Sequence, residues 1–499
     1  MFLGKKRLLV FAAAAVGVTA STSAATHARL KHTKRITTDS TFQKMYNQSE
    51  YQNGSQAPGY QDGDSPDQTV IINSNNGTDN NSPVSSCPIA FIGGASIDGS
   101  EEAGWSSKAS VVGFDTKYLE VENGANMPYY IERKDYTKAK RIVMVFQGKP
   151  RDAWRYANLM SYVGKCAVTN VKWDTAFEDY IVTSPIIFNT NDLEAGGAFP
   201  TDLIWKSGDW ASGGLTKGPG DTKVSIFKAL DALVDLWFNQ TVFPNLNSVV
   251  IAGHSAGAIL AQRYAVLRES VDGQDANMKW FISDAGSYAW PVDSRPVKNP
   301  TASSDCKSNS ENCEMKAECE VTMNQWPYGL NMTDPSTMNV YGRSKMQKNK
   351  EKMVQDYFDR RIQYTFAALD DGPGDTHCEA QFQGDSHIAR GNNFVAALKS
   401  AGAKGFHTTY VANATHVDLE LFIDPASQEW MFVDGITDKR KGSTTTTSSA
   451  SSKNSSASKA ASLSSASASS IVSAFTARRV CVVGFALIGC ACLSSLSLI

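Results

Sequence analysis

Short apolar runs alternate with longer stretches of helical periodicity over the middle of the chain. Isoleucine, valine and aromatic residues dominate the short runs, which is typical of buried strands, whereas Ile226, Leu230 and Leu233 recur at helical spacing. The predicted strands cover residues 141–146, 180–185, 248–252, 280–282, 364–368 and 407–411, and the predicted helices cover 225–238, 258–267 and 392–401. This alternation predicts an α/β fold, with a mainly parallel sheet covered by helices on both faces.

The alternation stops between residues 286 and 348, which are polar and contain Cys306, Cys313 and Cys319. We expect this stretch to form a Cys-containing cap inserted over the sheet edge. Residues 25–86, above all those after Thr38, are rich in Asn, Ser, Gly and Asp and hold few large apolar side chains. They are predicted to be a disordered linker. One compact domain is therefore expected over residues 87–439, a length that a single large α/β domain can reach.

Both ends of the chain carry the pattern of targeting segments. Residues 1–24 combine Lys5, Lys6 and Arg7 with a short apolar run, which predicts a cleaved secretory signal peptide. Residues 440–479 contain a long run of Ser, Thr, Ala and Lys and predict an extended stalk. The apolar tail at 480–499 is typical of a GPI-anchor signal, with a single-pass membrane helix as the alternative. We expect an extracellular protein anchored to the membrane at the cell surface through its C-terminus.

Composition narrows the classes of function. The 499 residues include 48 basic and 50 acidic side chains, which argues against a nucleic-acid-binding protein because such proteins show a basic excess. A mean hydropathy of -0.29 argues against a polytopic membrane protein. Eight Asn-x-Ser/Thr sites fit a secreted glycoprotein, at Asn47, Asn53, Asn76, Asn80, Asn239, Asn331, Asn413 and Asn454.

Six of the nine cysteines precede the C-terminal tail, an even number that predicts disulfide bonds in a secreted domain. A metal cluster at the three cysteines of the cap is the alternative, but no His lies nearby and their spacing fits no zinc motif well. The pairing stays open among Cys87, Cys166, Cys306, Cys313, Cys319 and Cys378.

The segment Gly253-His-Ser-Ala-Gly257 lies directly between a predicted strand and a predicted helix. This is the context of a nucleophile elbow, a sharp turn that presents a serine hydroxyl above the sheet. The two glycines are needed because a Cβ at either position would collide with the adjoining strand or helix. The turn also places the next N–H groups at a helix start, where they can bind an anion. Ser255 is therefore predicted to be a catalytic nucleophile.

A serine nucleophile needs a histidine base, which comes last along the chain in this type of fold. His416 follows the last predicted strand, at the position of that base, and is our candidate. His254 lies inside the elbow and is expected to point away from the site and to pack. His407 begins a strand and is expected at the wrong end of the sheet. His377 and His387 follow the penultimate strand and are left as pocket-lining or solvated residues.

The acid that orients the base is expected at the end of the strand at residues 364–368, where Asp370 and Asp371 follow one another. A carboxylate there can hold the imidazole tautomer and stabilise the imidazolium. Asp370 is the candidate. Asp371 is an alternate that also fits a turn, and Asp284, at the end of the preceding strand, is another.

Two backbone N–H groups must stabilise the oxyanion of the reaction. Ala256, directly after the nucleophile, is expected to supply one of them. The other is expected from the loop Gln147-Gly-Lys-Pro-Arg151, which follows the strand at residues 141–146. Lys149 is the candidate donor because Pro150 has no N–H.

These motifs resemble the α/β-hydrolase superfamily, in particular a group of secreted microbial serine hydrolases. The resemblance covers residues 87–439 and implies a Ser-Asp-His triad with no cofactor or metal. The sequence departs from the group at Gln147, where His is usual, and at Asp284, where Asn is common. Besides the elbow, the resemblance is carried by Leu203-Ile-Trp205, Gly208-Asp-Trp210, Phe243-Pro-Asn-Leu246, Gln262-Arg-Tyr264, Trp326-Pro-Tyr-Gly329, Gln383-Gly384 and Arg390-Gly391.

Three functions are compatible with these residues. The first is a carboxylesterase that acts outside the cell on a small-molecule or polymer ester through an acyl-enzyme. The second is a catalytically silent surface protein that uses the same fold for binding, and the third is a peptidase or amidase. Four tryptophans are candidates for an apolar pocket under the cap, although such residues more often lie in the core: Trp205, Trp210, Trp290 and Trp326.

Overall fold

The computed structural model describes residues 46–72, 87–303, 315–403 and 405–436. Contacts divide the chain into two compact units, Met1–Thr444 and Thr445–Ile499, and all of the described residues belong to the first. The predicted signal peptide, stalk and tail, as well as Cys306 and Cys313, lie outside the described residues. Within the described ranges, no helix is both long enough and apolar enough to cross a membrane.

An eight-stranded sheet organises the domain, and its order across the sheet is β1-β2-β4-β3-β5-β6-β7-β8. Strands β3 to β8 run parallel to one another, and β2 pairs antiparallel with both β1 and β4. The prediction of a mainly parallel sheet is confirmed. In chain order the strands are β1 (Phe114–Glu122), β2 (Ala125–Glu132), β3 (Arg141–Phe146), β4 (Tyr180–Pro185), β5 (Ser248–His254), β6 (Met278–Ser283), β7 (Ile362–Ala367) and β8 (His407–Ala412).

Helices cover both faces of this sheet and account for most of the remaining regular structure. They are α1 (Ala153–Thr169), α2 (Thr190–Ala195), α3 (Ile226–Trp237), α4 (Ala256–Leu267), α5 (Cys319–Thr322), α6 (Val340–Asp359), α7 (Cys378–Gln381), α8 (His387–Ser400), α9 (Asp418–Phe422) and α10 (Pro425–Gln428), followed by a π-helical turn at Glu429–Val433. Outside the main sheet, short strands pair at Val70–Ile71 with Phe91–Ile92 and at Gly99–Ser100 with Gly104–Trp105. A small three-stranded sheet has Ile204–Trp205 between Phe188–Asn189 and Thr216–Gly218.

Strand β3 shows how the two faces of the sheet are built. Ile142 and Met144 join a core with residues of α3, α4, α6 and α8. Val143 and Val145 point the other way and join a second core with α1 and the C-terminal helices. Successive side chains of a strand alternate between the faces of a sheet, so a strand covered on both faces is an unbroken apolar run. That is why the sequence predicts the bounds of β3 and β4 without error.

The insert predicted as a cap ends earlier than expected. Its described residues at 286–303 and 315–339 are irregular apart from α5 and short turns, but α6 begins at Val340 rather than after residue 348. Met346, Met353 and Tyr357 of this helix are buried in the core beside α4. These few apolar residues are enough to pack the helix against the core. Because the rest of the stretch is rich in Lys and Gln, the helical periodicity is hard to see in the sequence.

The four tryptophans considered for a pocket under the cap are all buried in the core that faces α3, α4 and α6. Trp326, the most exposed of them at 9%, donates its indole N–H to the Ser212 carbonyl at 2.7 Å. The group therefore packs the domain, which is the more common fate of such residues.

The prediction of a disordered linker is wrong for residues 46–72. Val70 pairs with Ile92, and both are buried. Asp64 accepts a 2.7 Å ion pair from Arg133 on β2. Gln68 accepts a hydrogen bond from the Val112 N–H at 2.8 Å. Composition predicts disorder from the lack of apolar residues, but here polar contacts to distant parts of the chain hold the segment in place.

Two disulfide bonds are present among the described residues, as the sequence predicts for a secreted domain. Cys87 pairs with Cys166 in α1, across 79 residues, and Cys319 of the insert pairs with Cys378 in α7, across 59 residues. The first bond ties the start of the predicted domain to a helix that covers the sheet. The second ties the insert to the loop that follows β7.

The C-terminal segment is fixed at the edge of the sheet where the parallel strands begin. Arg141, the first residue of β3, donates to the carbonyls of Met431 and Asp434 at 3.0 and 2.6 Å. Lys279, near the start of β6, forms a 2.9 Å ion pair with the Asp434 carboxylate, and Arg361, just before β7, reaches the same carboxylate at 3.2 Å. Basic side chains at the starts of three strands thus hold the Asp434 carboxylate and the backbone carbonyls of this segment.

We expect the double change Cys87→Ser and Cys166→Ser to lower the free energy of unfolding by about 2 to 5 kcal/mol, because the bond closes a long loop in the unfolded chain. Denaturant unfolding of the purified domain measures this loss. A change below about 1 kcal/mol would show that the segment before residue 87 is held by its other contacts alone.

Candidate active site

Ser255 lies between β5 and α4 in a strained backbone conformation, with φ 53° and ψ -121°. A positive φ is costly for a residue other than glycine, and this backbone conformation persists only where the surrounding structure enforces it. The enforcing contacts are backbone ones. A Cβ at position 257 would lie 2.7 Å from the Gln147 carbonyl oxygen, and one at position 253 would overlap the backbone of Gly257. The predicted reason for both glycines is therefore confirmed.

The elbow follows the fifth strand of a sheet with the order 1-2-4-3-5-6-7-8, in which only the second strand is antiparallel to the others. This is the α/β-hydrolase fold. The serine lies at the carboxyl edge of the sheet, where the loops after β3, β6, β7 and β8 also begin. In parallel α/β sheets this edge is where ligands bind.

Comparison with protein-family models and with curated proteins finds no match. Solved structures similar to this chain include poly(aspartic acid) hydrolase-1 from Sphingomonas sp. KT-1, with 17% identity, a TM-score of 0.41, and coverage of 64% of this chain and 98% of that chain. The poly(3-hydroxybutyrate) depolymerase LpqC from Bordetella parapertussis has 13% identity, a TM-score of 0.42, and coverage of 64% and 90%. The siderophore hydrolase EstB from Aspergillus nidulans has 12% identity, a TM-score of 0.32, and coverage of 65% and 96%. The assignment of the fold rests on the strand order and the elbow.

Pairing of the last two strands brings Asp370 and His416 together. The parallel β7–β8 ladder continues into the loops, where the N–H groups of Ala368 and Leu369 donate to the carbonyls of Ala412 and Ala414 at 2.8 and 3.0 Å. Beyond these bonds, His416 Nδ1 lies 2.6 Å from Asp370 Oδ2. The structure therefore brings together the two residues that the sequence proposes as base and acid.

The loop that carries His416 is tied down on both sides. Asp418 forms a 2.7 Å ion pair with Arg155 of α1, and both side chains are largely buried. Thr415 donates from its N–H and hydroxyl to Glu420 at 2.7 and 2.9 Å. Asn413, the first residue of an Asn-x-Thr sequence, is exposed and lies three residues before His416.

The charges of this pair favour a base that accepts a proton readily. Burial alone would raise the pKa of Asp370, but hydrogen bonds and charge from His387 and His416 outweigh it and hold that pKa well below its usual range. Burial alone would lower the pKa of His416, but the hydrogen bond and charge of Asp370 raise it above the usual value. Asp370 Oδ1 also accepts the N–H of Gly372 at 3.1 Å, which fixes the second carboxylate oxygen.

The two alternate acids have different surroundings. Asp371 is exposed, at the position of a turn residue. Asp284 is fully buried at φ 44°, and both of its oxygens accept the N–H of Ala367, at 3.1 and 3.2 Å. Burial raises the pKa of Asp284 to about 7, and the nearby charge of Asp370 contributes to the rise. Asp284 thus holds the end of β7 and lies close to Asp370.

Two further histidines adjoin His416. His387 is 8% exposed and its ring stacks on the His416 ring, with centroids 4.2 Å apart. His387 is therefore not solvated, and no local sequence pattern predicts its contact with His416. The expectation that His254 points away from the site is wrong in part, because its ring centroid lies 4.6 Å from that of His416. His254, the last residue of β5, also contacts Phe422 of α9 edge to face, with ring centroids 6.1 Å apart. Burial lowers its pKa well below the usual value.

The remaining histidines of the C-terminal half have other partners. His377 is half-exposed, and its Nδ1 lies 2.6 Å from Asp375. His407 begins β8, at the opposite edge of the sheet from Ser255, and its Nε2 lies 2.9 Å from the Tyr357 carbonyl oxygen. Its location agrees with the expectation from the sequence.

The side chain of Gln147 fixes the loop that follows β3. The Gln147 side chain donates to the Ile187 carbonyl at 2.8 Å and accepts the Ile187 N–H at 3.2 Å. The Gln147 carbonyl lies against Gly257, so this loop and the start of α4 are neighbours. Ala256 is the first residue of α4, where an N–H has no partner within the helix. The Lys149 side chain extends into solvent, in a 2.9 Å ion pair with Glu101.

Asp370, His387 and His416 also have the spacing of a possible metal site, since their ligand atoms lie within 4.8 Å of one another. The direct contact between His416 Nδ1 and Asp370 Oδ2 uses the same atoms, so a metal ion would have to replace the proton that they share. The expectation of a metal-free site stays a prediction.

Proposed function

We propose that this chain is a serine hydrolase that cleaves carboxylic esters through an acyl-enzyme. The proposal is carried by the 2.6 Å contact between His416 Nδ1 and Asp370 Oδ2, at the same edge of the sheet as the strained Ser255. A buried carboxylate that orients a histidine beside a nucleophile elbow is the arrangement that activates a serine hydroxyl.

The proposed reaction uses residues of the chain alone. His416 Nε2 accepts the hydroxyl proton as Ser255 attacks the acyl carbon, and Asp370 stabilises the imidazolium that forms. The N–H groups of Ala256 and Lys149 donate to the oxyanion. The imidazolium then protonates the leaving alcohol, and a water molecule activated by His416 releases the acid and regenerates the serine.

We also propose that the protein is secreted and glycosylated and is held at the cell surface through its C-terminus. The two disulfide bonds support an oxidising compartment. The signal peptide and the anchor rest on sequence pattern alone. Sequencing the N-terminus of protein purified from its source tests secretion: a mature chain that still begins at Met1 would contradict it.

A fluorophosphonate probe should label the folded wild-type protein at Ser255, because an activated serine attacks the phosphorus. The change Ser255→Ala should abolish both labelling and the hydrolysis of short p-nitrophenyl esters. His416→Ala should lower kcat by about a thousand-fold or more. Mass spectrometry of the labelled peptide identifies the modified residue. Hydrolysis of an ester series of graded acyl length gives the rates.

His377→Ala is the matched control, since this histidine also pairs with an aspartate but lies outside the proposed triad. It should hydrolyse the same esters at the wild-type rate. Wild-type protein that is folded yet neither labelled nor active would overturn the proposal and favour a binding protein with the same fold.

The activity should rise as the pH increases through the pKa of His416, which lies above the ordinary histidine value of about 6.5. His416 must be neutral to accept a proton, and its pKa is raised, so activity is lost as pH falls through that raised value. Asp370→Asn should lower kcat by about a thousand-fold to ten-thousand-fold and move the midpoint to lower pH. Asp371→Asn, an exposed neighbour, is the control and should leave the pH profile of kcat/KM unchanged. The reverse ranking of the two variants would show that the acid is misassigned.

A further inference from the structure

The loop after β3 is held at both ends by the segment that follows β4. At its start, the Gln147 side chain bonds the backbone of Ile187 in both directions. At its end, Arg151 forms an ion pair with Asp192 of α2, in which Nε lies 2.8 Å from one carboxylate oxygen and Nη2 lies 3.0 Å from the other. The turn between these two points contains Lys149, the proposed second oxyanion donor.

Arg151 has a backbone conformation that few residues other than glycine adopt, with φ 66°. Its N–H donates to the Gly148 carbonyl at 3.2 Å, which closes the turn over Lys149 and Pro150. Such a conformation persists only where the surrounding structure enforces it. The Arg151 side chain is only 4% exposed, and its buried ion pair therefore acts directly on the backbone of the turn.

The Asp192 carboxylate is completely buried and is paired on both oxygens. Besides the Arg151 guanidinium, it accepts the N–H of Trp105 at 3.0 Å and the N–H of Asn189 at 2.8 Å. A buried carboxylate requires such partners, because an unpaired charge in the interior is costly. Asp192 is thus a fixed point to which the end of the loop is fastened.

A short hairpin at residues 99–105 adds two further contacts to the same loop. The Glu101 carbonyl accepts a hydrogen bond from Arg151 Nη2 at 2.9 Å. The Trp105 indole N–H donates to the Pro150 carbonyl at 2.7 Å. The guanidinium of Arg151 therefore joins three separate parts of the chain: its own turn, the start of α2 and this hairpin.

None of these bonds uses the backbone N–H of Lys149, which has no acceptor among the residues that the structure describes. The backbone on both sides of this N–H is fixed, whereas the N–H itself is left available. An oxyanion donor that is held in place before the reaction stabilises the developing charge without a cost of reorganisation. The contacts of the loop thus suit the role proposed for Lys149.

We propose that Arg151 is a positioning residue, whose ion pair with Asp192 holds the Lys149 N–H in place for the oxyanion of the proposed reaction. The proposal rests on the hydrolase function proposed above. Without the guanidinium, the positive φ at position 151 loses its support, and the turn can relax away from the oxyanion. The catalytic Ser255, His416 and Asp370 lie on other loops and should stay in place.

Three variants separate a positioning role from a contribution to folding alone. Arg151→Met keeps the aliphatic part of the side chain and removes the guanidinium. Arg151→Met combined with Asp192→Asn also removes the carboxylate charge that would otherwise be left buried and unpaired. Arg133→Met is the control, because it removes another ion pair, with Asp64 at 2.7 Å, at the opposite edge of the sheet from Ser255.

The measurements are kcat and KM for a p-nitrophenyl ester, the inhibition constant of a trifluoromethyl ketone, and Tm. The Ser255 oxygen bonds to the carbon of such a ketone, the hydroxyl proton passes to His416, and the ketone oxygen becomes negative. This tetrahedral adduct resembles the transition state and reports on the oxyanion donors. The KM of the ester reports mainly on binding in the ground state.

Arg151→Met should lower kcat about 100-fold, within the range for the loss of one oxyanion donor, and should weaken inhibition by the ketone by a similar factor. KM should stay within about three-fold, because Arg151 has no contact with the substrate in the proposed reaction. The double variant should recover part of the lost Tm but keep the low kcat and the weak inhibition. Arg133→Met should lower Tm and keep the wild-type kcat.

Wild-type kcat in folded Arg151→Met, or in the folded double variant, would overturn the proposal. So would a loss of kcat without weaker inhibition by the ketone, or an equal loss of kcat in Arg133→Met, since either result would indicate a general loss of structure. If the single variant fails to fold, the double variant decides by the same criteria. Failure of the proposed function is recognised separately, because the wild-type protein would then not be labelled at Ser255 by a fluorophosphonate.

Discussion

The backbone of helix α4 approaches the ends of β3 and β5 more closely than any side chain would permit. Gly253 and Gly257 make this approach possible, and the serine between them is forced to a positive φ as a result. The same contact places the start of α4 beside the loop after β3. One steric constraint therefore fixes the backbone of Ser255 and Ala256, the proposed nucleophile and first oxyanion donor, and places them beside the loop that carries Lys149, the proposed second donor. The large core between the sheet and α3, α4 and α6 resists relaxation of this strain.

A second constraint acts at the other side of the site. Strands β7 and β8 are 40 residues apart along the chain, and their ladder continues as hydrogen bonds between the loops that follow them. The proposed base and acid thus meet because parallel strands end at one edge of a sheet. The ion pair of Arg155 and Asp418 then fastens the loop of the proposed base to α1, and Asp284 accepts the N–H of Ala367 at the end of β7. The site is held by elements from both faces of the sheet.

The sequence predicts this fold well where information is local. Buried strands are unbroken apolar runs, so β3 and β4 have the predicted bounds, and the elbow is a contiguous motif of five residues. Strand order in turn places Asp370 beside His416. Prediction fails where distant polar groups meet. Arg133 and Gln68 order a segment whose composition indicates disorder, and His387 reaches Asp370 only through the path of the intervening loop. No periodicity in the sequence records such contacts.

The contacts of Asp434 fix the last segment of the chain that the structure describes. Arg141, Lys279 and Arg361 hold this segment at the starts of three strands, whereas Ser255 lies at the end of one. The clamped segment and the proposed nucleophile are thus at opposite edges of the sheet. Under the proposed C-terminal anchoring, a pull on the chain would reach the domain at the Asp434 edge and not at the loops around Ser255.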